Sequence, residues 1–210
     1  MSNLQPAPTL KQLLSDPSVS LAQVVTHLEA LAPEEKLKQC MSIGRAAQRR
    51  LFQLCAASPA VTMNDFVPDE LPPLTPVIHE GKNTLPLFTR FQKVFCKPAD
   101  GSDRLFGFNE GFTRMLIGPG YFVGHATTEP PSESTWPARG PIVVNYFMVP
   151  EAQVPEGWPK VVPNSKGLQM FVYKGTRDFM RKVCDGVTIG EAFKGEKSID
   201  NYFVLVRMPA

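Results

Sequence analysis

No stretch of this sequence approaches the roughly 18 consecutive apolar residues that a membrane-spanning helix needs, which excludes such a helix. Neither sign of charge prevails, because 22 Lys and Arg stand against 20 Asp and Glu for a net charge of +2. That balance creates no strong field, so neither nucleic acid nor a membrane is expected as a partner. Cysteine is scarce: Cys40, Cys55, Cys96 and Cys184 form no C-x-x-C pair and no Cys/His cluster, which leaves no zinc site. If Cys40 and Cys55 share one helix they lie roughly 22 Å apart, too far for a disulfide. Free thiols in a reducing compartment follow, and with no basic start leading into an apolar run the expected location is cytoplasmic.

The sequence also lacks the signatures of common enzymes. There is no G-x-S-x-G elbow, no G-x-x-x-x-G-K-[ST] loop and no H-E-x-x-H helix. Gly118-Pro119-Gly120 with Gly124 misses the dinucleotide spacing by one residue, and a tight hairpin explains those glycines, so no cofactor is expected.

What is abundant is proline, at 21 residues about twice the usual share. Proline fixes φ and lacks a donor, so it marks loops and element ends. Before the richest run, apolar residues recur at helical spacing. Leu10, Leu13 and Leu14 open a short helix; Ser20 caps a second carrying Val24, Leu28 and Leu31; Pro33 opens a third reaching about Ala57. Prolines at 59, 68, 72, 73 and 76 then break every periodic pattern. The chain therefore reads as a helical region 1–57, a proline-rich strap or linker 58–83 and an α+β domain 84–210.

Within that last region, Leu87, Phe88, Phe91, Val94 and Phe95 fit a helix over 85–96. Strand-type runs follow at 104–108, 112–117, 121–127 and 141–148, then a helix over 176–183 and a terminal hairpin of 187–193 with 201–206. The expected fold class is α+β: N-terminal helices, then an antiparallel sheet of about six strands with helices packed on one face.

Candidate site residues are few. His125 is a candidate general base, oriented by Glu129, because imidazole titrates near neutrality, and Arg114 and Tyr121 fall on neighbouring strands. His79, Lys82 and Asn83 precede the expected helix after Thr84, whose free N–H groups suit an anion. Trp158, between prolines, can line or cover an aromatic pocket. These leads favour a non-enzymatic protein that binds a small anionic or aromatic ligand, senses one, or interacts with a protein partner. The alternatives are an acid–base enzyme using His125 and a scaffold held through its N-terminal helices.

Overall fold

The computed structural model describes residues 7–111 and 114–209. Four helices come first: α1 (Leu10–Ser15), α2 (Leu21–Glu29), α3 (Pro33–Cys40) and α4 (Arg45–Leu54). Thr9 and Ser20 each close a capping box with a glutamine three residues on, which fixes where α1 and α2 start. The single helix expected over 33–57 is instead two, interrupted at 41–44, with Gly44 at the N-cap of α4.

The remainder corrects the expected fold class. Eight antiparallel strands close into a barrel in sequence order: β1 (Val77–Asn83), β2 (Arg90–Cys96), β3 (Leu105–Glu110), β4 (Phe122–Ala126), β5 (Ile142–Asn145), β6 (Thr176–Cys184), β7 (Val187–Lys194) and β8 (Lys197–Arg207). Pairing of β1 with β8, from His79 opposite Arg207 to Asn83 opposite Phe203, removes the last free edge. Among the described residues there is no open sheet with helices on one face. The helices expected over 85–96 and 176–183 are β2 and β6, and part of the strap, 77–83, is β1.

Those misreadings have one cause. A strand of this barrel is buried on both sides, by the lumen within and by packed chain without, so its apolar residues run on instead of alternating. On β8, Phe203 and Leu205 enter the lumen core, while Tyr202, Val204 and Val206 pack under the N-terminal helices. On β2, Phe95 faces the lumen, whereas Val94 and Cys96 meet the covering segment that carries Val154 and Trp158.

Aromatic rings pack within the lumen. Inward glycines make the room: a Cβ on Gly107 would lie 2.4 Å from the Phe122 ring and 2.6 Å from the Val94 carbonyl, and one on Gly190 would lie 2.3 Å from the Phe203 ring. Large rings set over absent side chains are how a small barrel closes on itself without a void.

Candidate functional site

The topology divides the connections between two ends. Segments 84–89, 111–121, 146–175 and 195–196 join odd-numbered strands to the next even one, and all emerge at the same end, here called the upper rim. Segments 97–104, 127–141 and 185–186 leave and re-enter the barrel at the lower end, and 127–141 climbs the outer wall far enough for Trp136 and Arg139 to reach Glu196.

The strap 58–76 closes the lower end. Its Val61, Phe66 and Val67 are buried in the lumen core, and the Phe66 ring sits 5.1 Å from Phe95 and 5.9 Å from His79. Ionic contacts hold it there: Lys182 lies 2.6 Å from Asp65, and Arg207 donates to the carbonyls of Asn64 and Asp65. Between strap and barrel lies an open cleft of about 570 Å³, lined in part by Thr62, Asn64, Asp69, Asp103, Thr127 and Ile142.

Beneath the upper rim the lumen holds a polar cluster. The ammonium of Lys93, on β2, lies 3.1 Å from Asp178 Oδ2 on β6 and donates to Asn109 Oδ1 at 3.2 Å and to the Tyr146 hydroxyl. Asn109 in turn donates to the Gly120 carbonyl at 3.0 Å. Rings of Phe122, Tyr146, Phe203 and Phe91 surround the ammonium at 4.9 to 5.8 Å. Lys93 and Asp178 are 2% and 8% exposed, so neither reaches solvent. Burial pushes the lysine down and the carboxyl up, each opposed by the attraction of the other. A buried amine with a lowered pKa has the makings of a nucleophile. Here Asp178, Asn109 and the Tyr146 hydroxyl take the three donors of the amine, which ties β2 to β3 and β6.

No signal in the sequence marks this cluster. A lone lysine in the apolar run of β2 reads as a solvent-facing residue, and Asp178 reads as the exposed face of a helix.

The sequence-derived candidates disperse. His125 faces outward on β4 but is 1% exposed. Its Nδ1 contacts the Ala126 carbonyl at 3.0 Å and must donate, so Nε2 accepts from Asn145 Nδ2 at 3.2 Å. Both nitrogens are engaged in the neutral ring, burial lowers its pKa, and no hydrogen bond joins it to Glu129 among the described residues. Arg114, on the short helix α5 (Arg114–Ile117), pairs with Glu110 at 2.7 Å, away from His125. Tyr121 and Trp158 form an aromatic cluster with Phe108 that fastens the covering segment to the outer wall, Tyr121 donating to the Pro159 carbonyl. Trp158 thus fastens this segment to the wall through its contacts with Phe108 and Tyr121.

The expected anion site loses its basis because no helix follows Thr84. His79 points into the lumen and donates from Nε2 to the Phe66 carbonyl at 2.9 Å, while its Nδ1 is buried with no partner. Asn83 organises the turn, accepting from the Leu85 N–H at 3.0 Å and donating to the Phe88 carbonyl at 3.3 Å. Lys82 faces outward, directly opposite Arg90 in the β1–β2 register.

What distinguishes the upper rim is its surface. Of the 11 large hydrophobic residues exposed among those described, Ile78 alone lies toward the lower end. Leu85, Leu87 and Phe88 come from 84–89; Met115 and Leu116 from 111–121; Phe147, Leu168, Phe171 and Val172 from 146–175; Ile199 opens β8. Met115 is 86% exposed, Leu116 73% and Phe171 71%. Phe88 is 60% exposed and also holds φ at 55°, a left-handed conformation unfavourable for a bulky residue. Folding alone rewards neither feature. Comparison with known protein families, with curated proteins and with solved structures finds no match to this chain.

Proposed function

We propose that this is a non-enzymatic binding protein whose docking face is the upper rim of the barrel. The observation that carries this reading is the segregation of exposed apolar side chains: of the 11 among the described residues, nine belong to connections at one end and Ile199 lies near the start of β8 at that same end. Scattered single hydrophobics are ordinary on a protein surface, whereas a collection at one end marks an interaction site. The strained, outward Phe88 agrees with it.

The competing classes have less support. An acid–base role for His125 needs a free ring nitrogen at a water-accessible cleft, and both nitrogens are engaged. A scaffold acting through its N-terminal helices needs an unpartnered apolar helix face, but Leu10, Val24, Leu28 and Leu51 are turned onto the outer wall of β6–β8. A small-molecule site in the lower cleft is a second reading. Its volume of about 570 Å³ suits a small ligand.

The test is retention on a phenyl matrix in high salt. Leu87→Asp with Phe171→Asp is expected to abolish retention while leaving the melting midpoint within a degree or two, as surface changes do. Ile78→Asp, at the other end, serves as control. Unchanged retention of the double variant would overturn the proposal.

A further inference from the structure

We infer that the surface this rim docks on is an anionic lipid bilayer, an inference that rests on the rim being the docking face. The charge around the apolar tips supplies the argument. Arginines match three of the acidic groups at this end: Glu110 is paired with Arg114, Glu196 with Arg139 and Arg177, and Asp200 with Arg45 and Arg49, while the exposed Glu151 and Glu156 of segment 146–175 flank Val154, which packs down the outer wall with Cys96 and Phe106. Lys82, Arg90, Lys166, Lys174, Lys194 and Lys197 have no carboxylate within ion-pair distance among the described residues. Lys82 and Arg90 face each other across β1 and β2, a like-charge pair that disfavours the fold and that an external anion would relieve. The repulsion lowers the Lys82 pKa further than its partial burial alone, and Lys11 adds to it.

Apolar tips ringed by unmatched cations are the composition that lies in a headgroup interface, with the side chains in the acyl boundary and the lysines at lipid phosphates. A second copy of the chain is a poorer occupant, because a two-fold contact through the rim would bring both sets of cations together. The overall charge of +2 says nothing of how the charges are distributed. Lacking a long apolar helix bears on crossing a bilayer, not on resting against one.

The experiment is flotation of the full chain with vesicles of phosphatidylcholine alone or with ~30 mol % phosphatidylglycerol, a surface charge like that of anionic leaflets. Binding to the anionic vesicles only, falling as salt rises, is expected. Lys194→Ala with Lys197→Ala should weaken it about thirty-fold, at about 1 kcal/mol per lysine. Leu87→Asp with Phe171→Asp should abolish it. Equal binding to neutral vesicles, or none to either, would overturn the bilayer as occupant. Retention on the phenyl matrix separates the failures: if it still depends on Leu87 and Phe171, the rim remains a docking face for something else, and if not, both readings fall. Dimerisation lost in the same double variant, without vesicle binding, would assign the face to a second copy and overturn the inference.

Discussion

At the residue scale, the barrel depends on a few polar groups placed where water cannot reach. Lys93 and Asp178 join strands on opposite sides of the lumen, 85 positions apart in the chain. Removing one partner leaves the other buried without compensation, so Lys93→Met is expected to cost about 3–5 kcal/mol in urea unfolding. Adding Asp178→Leu should recover most of that loss, because paired apolar replacements no longer strand a charge. Failure of the double variant to recover would mean that the cluster does more than satisfy itself.

His79 makes a separate prediction. Burial pushes its pKa down to about 4 from an ordinary 6.5. Between those values the unfolded chain binds a proton that the folded chain refuses, so stability falls as pH drops from about 6.5 toward 4. The full difference is about 3 kcal/mol, from about 1.4 kcal/mol per pKa unit. His125 is displaced in the same direction, also by burial. His79→Gln should flatten the dependence measured by urea unfolding at pH 7.5 and pH 5. An unchanged slope would place the acid sensitivity elsewhere. Neither residue's environment is legible in the sequence, since what displaces them is enclosure by strands distant along the chain.

At the scale of elements, local signals were read well where they are local. Ser20 as the cap of α2, Pro33 at the start of α3 and the final hairpin all act within a few residues, and the structure has them, whereas the Thr9 cap of α1 was not read. Period failed where burial is two-sided. Phe91, Val94 and Phe95 mimic a helix because Phe91 and Phe95 pack in the lumen while Val94 packs under the covering segment. The prolines of 58–76 do exclude regular strands, yet they do not make a loose strap: Phe66 and Val67 are fully buried and Arg207 grips the backbone at Asn64 and Asp65. A protease that cuts at apolar residues should therefore cleave first in the rim connections 84–89 or 111–121, and leave 58–76 intact. First cleavage within 58–76, mapped by mass spectrometry, would contradict that packing.

At the scale of the whole molecule, the two ends are built for different tasks. The lower end is plugged by aromatic packing and ion pairs; the upper carries the polar cluster inside and apolar tips outside. Phe91, Phe95, Phe122 and Phe203 pack against one another inside the lumen, and the docking face proposed above lies on the surface. The barrel itself was not legible, because closure depends on β1 meeting β8 across more than a hundred residues. The individual rim residues were legible as hydrophobic, but not as exposed, and only the topology gathers them.

The four native cysteines allow a direct test. All are free and buried, and burial pushes their thiols up to between about 11 and about 12, so they resist alkylation in the folded protein. A cysteine introduced as Met115→Cys, at an 86% exposed position, will take an environment-sensitive fluorophore alone. On adding anionic vesicles, the emission of that probe should shift to the blue as the rim enters the interface, while the same probe at Ile78→Cys should not change. No shift at position 115, or equal shifts at both positions, would contradict the upper rim as the face that meets the bilayer.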